Sequence, residues 1–194
     1  MQTIVRWLHK NRLMCAALAI AALLFFYLNR PIEWKEEVQL QSGEVILVKR
    51  TAKTKSFGEI GGSGGWENKG MTVEVVRPLS SENPPKWEFP FVPLIFDRDA
   101  KTKQWFMVAT FYSCQSWVAL GKPALPYTEY RVVNGRWVQQ QLSKELIGHP
   151  ANMLTSIRSG GEPDHTLGSK AYVARDVRIA PKFLRVVDKY SSSC

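Results

Sequence analysis

The stretch Tyr127 to Leu142, YTEYRVVNGRWVQQQL, decides the fold class. Two runs of strand-forming residues, Tyr127 to Val133 and Arg136 to Leu142, flank Asn134-Gly135. Asn-Gly between alternating strands is the strongest short-range hairpin signal, because both turn residues need positive φ and these two tolerate it. An antiparallel strand pair is therefore expected here.

The same grammar repeats upstream. From Glu36 to Lys49, Val38 and Leu40 alternate with polar neighbours, Ser42-Gly43 supplies a turn, and Val45-Ile46-Leu47-Val48 returns. The return run is apolar on both faces, which predicts a central strand. Glu36, Glu37, Lys49 and Arg50 gather at the open end, where they can pair across the strands. Val92 to Phe96 and Gln104 to Tyr112 form a further hairpin joined by Asp97 to Lys103, and the second strand, QWFMVATFY, reads as core. Met71 to Val76 adds another strand.

Between these hairpins, Pro78, Pro84, Pro85, Pro90 and Pro93 forbid a long helix or a central strand. The segment reads as an extended connection with Trp87, Phe89 and Phe91 as anchors into the core. After Leu142 the period changes. Ser143 to Leu146 opens a short helix stopped by Gly148 and Pro150, Ala151 to Ile157 forms a further turn or two, and Gly160 to Gly168 is loop. Tyr172 to Ala174 and Phe183 to Val187 suit strand or helix equally, split by Pro181. The fold class is mainly β: an antiparallel sandwich or partly open barrel with a minor C-terminal helix, preceded by one N-terminal transmembrane helix.

That helix is Leu13 to Leu28, LMCAALAIAALLFFYL, sixteen uncharged residues bracketed by Arg12 and Arg30. At about 1.5 Å per residue it extends about 24 Å, short of a hydrocarbon core of about 30 Å. Snorkelling by Arg12 and Arg30, and Trp7 and Trp34 in the headgroup layers, close the gap. A cleaved signal peptide is the rival reading, but the run ends in bulky Leu23 to Tyr27, and its Ala-x-Ala patterns are buried inside it. Arg6, Lys10 and Arg12 precede the run with no acid, whereas Glu33, Glu36 and Glu37 offset Arg30 and Lys35 beyond it. The positive-inside bias then gives a cytoplasmic segment 1–12, a signal-anchor helix 13–28 and an outer domain 31–194. In a bacterium that domain is periplasmic and the anchor lies in the inner membrane.

The chain carries +9, of which Arg6, Lys10, Arg12 and Arg30 lie in the first 30 residues, leaving +5 on the rest. That balance is mild, with no clustered basic stripe and no nucleic-acid module, so nucleic acid is not an expected partner. Of three cysteines, Cys15 falls in the apolar run, so Cys114 and Cys194 are the candidate disulfide, set against a frayed-looking Ser191-Ser192-Ser193 tail.

Catalytic and cofactor chemistry is not legible. Gly61-Gly62-Ser63-Gly64-Gly65 resembles a phosphate cradle, but Trp66 and then a strand follow it where a helix is needed. It reads as a loop, at most a flap beside a pocket with Trp66 as its closing aromatic. His149 and His165 are the only histidines past residue 30, and no metal-ligand spacing joins them to cysteine or acid. No catalytic, cofactor-binding or metal-ligating residue is assigned. Trp105 and Trp137 read as core. Trp34, Trp66, Trp87 and Trp117 sit at strand ends or in loops, where they line a ligand groove or simply pack the rim, with Trp66, Trp87 and Trp117 the groove candidates.

Three stretches taken together carry a resemblance: Trp34 to Val38 through Gly43 with Val45 to Arg50; Pro93 to Asp97 with Val108-Ala109-Thr110 and Cys114; and Gly121-Lys122-Pro123 to Pro126-Tyr127 with Gly135-Arg136-Trp137. Over residues 34 to 140 the chain resembles a group of uncharacterised small proteobacterial proteins with a hydrophobic N-terminus and a strand-rich body. The resemblance implies a bacterial-envelope setting and no activity. The expected function is a membrane-anchored periplasmic binding or interaction module, whose partners are the membrane and an envelope protein or a wall or surface ligand. The alternative is a small periplasmic hydrolase or thiol enzyme using Cys114 with a histidine.

Overall fold

A computed structural model describes residues 14, 16–20, 31–57, 65–112, 114–119, 121–155, 164–173 and 179–190. Among the described residues, eight strands form two open antiparallel sheets, each a simple meander. The first holds β1 (Ile32–Gln39), β2 (Val45–Phe57), β3 (Gly65–Arg77) and β4 (Trp87–Phe89), and the second β5 (Val92–Arg98), β6 (Trp105–Thr110), β7 (Thr128–Val133) and β8 (Arg136–Gln140). Neither sheet closes on itself, so the fold is mainly β without a closed barrel.

The expected turns hold for the expected reasons. Asn134 and Gly135 both take positive φ, 51° and 72°, between β7 and β8. Gly43 takes φ 88° between β1 and β2. The proline-rich passage contributes the three-residue edge strand β4 and, at Pro93, the start of the edge strand β5, and Trp87 and Phe91 enter the core from it.

One core receives inward side chains from both sheets: Trp34, Val38, Ile46, Val48 and Val73 from the first, Phe96, Trp105, Met107 and Tyr130 from the second. Phe106 and Val108 point the other way, with Leu94 and Tyr127, and are covered by Leu146 and Val186. Every residue of β6 is consequently buried, which explains its near-continuous apolar run. Truncating its fully buried Met107 to alanine would cost about 2–5 kcal/mol.

Several expectations need correction. β2 is central in hydrogen bonding, yet Val45 is exposed and Leu47 only half-buried, so its second face is not core. Trp137 is half-buried, its indole N–H donating to Pro85 O at 2.7 Å. Residues 151–155 form no helical turn, because the N–H groups of Asn152 and Met153 go instead to Leu94 O on the edge of β5. Helix α1 (Cys114–Ala119) was not foreseen, and helix α2 (Leu167–Val173) begins inside the segment read as loop. Lys144–Leu146 and Pro181–Phe183 are single 3-10 turns.

At the N-terminus, residues 14 and 16–20 are helical and the remainder of 13–28 lies outside the described residues. Among the described residues no helix is long and apolar enough to cross a membrane. The glycine-rich stretch also falls mostly outside them, at 58–64, while Gly65 and Trp66 already belong to β3.

Candidate functional site

The chain after β8 builds a cleft along the edges of β1 and β5. Residues 148–151 run beside 184–186: Gly148 N–H donates to Val186 O at 2.8 Å, Val186 N–H to His149 O at 2.9 Å, and Ala151 N–H to Leu184 O at 2.8 Å. Asn152 then imitates a strand residue with its side chain, accepting from Phe96 N–H at 2.9 Å and donating to Phe96 O at 2.9 Å and Gln39 O at 3.1 Å. This strap covers the edge of β5.

The edge of β1 is covered by the lead into α2. Glu37 N–H donates to His165 O and His165 N–H to Lys35 O, each at 2.8 Å, in a parallel bridge. The Glu37 carboxylate accepts Leu167 N–H at 2.9 Å, satisfying a first-turn donor of α2. One turn on, Lys170 folds back beneath β1.

There it meets a buried ion cluster. Trp34, Glu36 and Val38 share the inward face of β1, and Ile46, Val48, Arg50 and Ala52 that of β2. Arg50 Nη1 donates to Glu36 Oε1 at 2.7 Å and to Leu154 O at 2.6 Å. Its guanidinium lies 4.7 Å from the Trp34 ring centroid. Glu36 Oε2 takes Leu154 N–H at 2.9 Å and lies 3.1 Å from Lys170 Nζ. Burial alone would raise the Glu36 pKa, but Arg50, Lys170 and these hydrogen bonds outweigh it and hold the carboxyl below its ordinary value. Burial lowers the Lys170 pKa, against the pull of Glu36.

Strap, α2 and the Pro181–Phe183 turn line a cavity of about 450 Å³ that is open to solvent on one side. Leu40, Ile95, Leu154, Leu167, Phe183 and Leu184 supply apolar wall. Asp97, Gln41 and His149 gather in the same lining. Asp97 is 2% exposed and accepts Gln41 N–H at 3.0 Å and Arg98 N–H at 2.7 Å. Burial pushes its pKa up. Gln41 Nε2 lies 3.1 Å from His149 Nδ1.

Of the residues singled out from sequence, Trp87, Trp117 and Cys114 do not line this cavity. Trp87 is fully buried in the core, its ring edge-on to Tyr130 with centroids 5.7 Å apart, so it lines no surface. Trp117 is half-buried on α1 with its indole N–H on Pro123 O at 3.3 Å. Trp66 opens β3 opposite Ser56, and its side chain is outside the description. Cys114 is disulfide-bonded, and both other cysteines, 15 and 194, lie outside the described residues. A sulfur held in a disulfide offers no thiolate nucleophile. Among the described residues, no three His, Cys, Asp or Glu side chains stand close enough to hold a metal ion.

Glu36, Arg50, Asp97 and Lys170 went unassigned in the sequence. A signal existed for the first pair: both share the parity of the apolar residues around them, Trp34 and Val38 on one strand, Val48 and Ala52 on the other. The chain matches no protein family, and no curated protein or solved structure matches it at a significant level.

Proposed function

We propose that this chain is a single-pass bacterial inner-membrane protein whose outer domain, a periplasmic β-sandwich, is a non-enzymatic binding module with the cavity as its recognition site. The uncharged run from Leu13 to Leu28 and the positive charge before it support the anchor and its orientation. The observation that carries the binding reading is the cavity of about 450 Å³, within the range of small-ligand sites. Its walls are braced by the buried Glu36–Arg50–Lys170 cluster, which stiffens a site that must hold its shape.

In-cell photocrosslinking on the full membrane-embedded chain tests this reading. A photoreactive residue at Ala171, on the cavity wall, is compared with one at Glu74, on the outward face of β3. The expected result is a discrete adduct from position 171 and none from 74. Equal labelling from both positions, or none from either, would overturn the proposal.

A further inference from the structure

We propose that the cavity selects ligands with an apolar body and a cationic amine head, and that Asp97 receives the head. The inference rests on the binding-module reading and adds the chemical class of the ligand.

Most polar groups of the wall have already spent their bonding capacity within the fold. Lys170 has three N–H donors. It gives them to Glu37 O at 2.7 Å, Glu36 Oε2 at 3.1 Å and Asn152 O, so its ammonium is committed within the fold. The Asn152 amide is likewise spent on Phe96 and Gln39. Thr155 Oγ1 donates to Phe183 O at 3.0 Å. Among the described residues of this lining, an anionic ligand would therefore find no uncommitted lysine.

Asp97 differs from all of these. Its two oxygens offer about four acceptor sites. They receive two backbone donors, Arg98 N–H at 2.7 Å and Gln41 N–H at 3.0 Å. The neighbouring guanidinium does not neutralise it, because Arg98 turns away to Glu82 at 3.0 Å and lies 5.1 Å from the Trp105 ring centroid. Among the described residues no lysine or arginine pairs with it and His149 is the one group whose charge bears on it, so a carboxylate 2% exposed is costly to keep charged. Burial accordingly raises its pKa. A ligand ammonium supplies the missing countercharge, while Leu40, Ile95, Leu154 and Phe183 take the apolar body. His149, through Gln41, fixes the lining beside the head.

Calorimetry on the full chain in nanodiscs, with empty nanodiscs as reference, compares benzylammonium, benzoate and benzyl alcohol. The expected result is saturable one-to-one binding of benzylammonium, with benzoate weaker by about tenfold or more, a gap of about 1.4 kcal/mol. Asp97→Asn should weaken benzylammonium by a similar factor, and Ala171→Trp, which fills the cavity from α2, should abolish binding. Benzoate or benzyl alcohol binding as tightly as benzylammonium to the unmodified chain would overturn the proposal without relying on any variant. So would the absence of saturable benzylammonium binding, or an affinity unchanged in Asp97→Asn. In each of those cases the crosslinking comparison between positions 171 and 74 still decides, separately, whether the cavity is a recognition site.

Discussion

Glu36 and Arg50 meet at 2.7 Å with neither side chain exposed, a charged pair set into the inward faces of β1 and β2. Lys170 closes on the other carboxylate oxygen from α2 at 3.1 Å. One carboxylate thus sits between two cations, and the cluster ties the first sheet to the strap and helix that form the cavity.

Removing the shared carboxylate should be the most damaging change at this cluster. Glu36→Ala leaves the fully buried Arg50 without countercharge and Lys170 with Glu37 alone, and is expected to cost about 3–5 kcal/mol. Lys170→Met keeps the Glu36–Arg50 pair and leaves two carbonyls short of a donor, so about 1–3 kcal/mol is expected. Chemical denaturation of the two variants checks the order. A Lys170→Met loss equal to that of Glu36→Ala would show that the carboxylate is not the centre of the cluster. The sign with pH follows from the depressed Glu36 pKa: its contribution is full above the unfolded value of 4.5 and is lost as pH falls through the lower folded value.

The β7–β8 turn should resist side chains through its backbone alone. Gly135 holds φ at 72° with nothing within 4 Å of where a Cβ would stand. Gly135→Ala therefore meets no clash, and its cost, about 1–2 kcal/mol, is that of the left-handed conformation itself. Gly70, inside β3, makes the control. Its added Cβ would meet Phe89 O at 3.9 Å, ordinary contact, so Gly70→Ala should be close to neutral. Thermal melts of both variants test the contrast, and equal losses would sink it.

These two places also show what could be read in advance. The Asn134-Gly135 turn needs only neighbouring residues to specify it, and the strands on either side appear as expected. Pairing of the charges around Glu36 and Arg50 was likewise legible in the hairpin. Their burial has a local signal in the parity they share with Trp34, Val38, Val48 and Ala52, but the Leu154 carbonyl that also accepts from Arg50 lies 104 positions away, where no local spacing points. The cavity gathers residues from 39–41, 95–97, 149–155, 167–171 and 179–184, and no local spacing encodes such a meeting. Asp97 shows the same limit: it reads as the first residue of a polar hairpin loop, yet it ends up buried near the end of β5.

Asp97 should trade stability against recognition. Its folded pKa lies above the ordinary 3.8, so between those two values the folded protein binds more protons than the unfolded chain. Stability therefore falls as pH rises through that window, and above it the charged form weighs on the fold. Asp97→Asn removes the charge and keeps one oxygen in the Oδ1 place, which accepts both Arg98 N–H, at 2.7 Å, and Gln41 N–H, at 3.3 Å. The expected outcome is neutral-pH stability equal to or above that of the unmodified protein, with the local pH slope gone. A clear loss of stability at neutral pH would show that the carboxylate serves the fold and not a ligand.

Cys114 is disulfide-bonded, and Cys15 belongs to the apolar run proposed as the membrane anchor, which leaves Cys194 as its proposed partner. Proteolysis without reductant, followed by mass spectrometry, should yield a crosslinked pair of peptides carrying Cys114 and Cys194 that separates on reduction. Such a bond closes a loop of about 80 residues, which the chain-entropy model values at about 4.5 kcal/mol before strain. Reductant, or Cys194→Ser, should therefore lower the unfolding midpoint markedly. The tail offers a second readout, because Tyr190 packs edge-on against Phe111 with ring centroids 6.2 Å apart. Releasing the tail should weaken that contact and raise hydrogen exchange around Phe111. A crosslink between Cys114 and Cys15 instead would overturn both the pairing and the proposed anchor, since it would bring the apolar run against the outer domain.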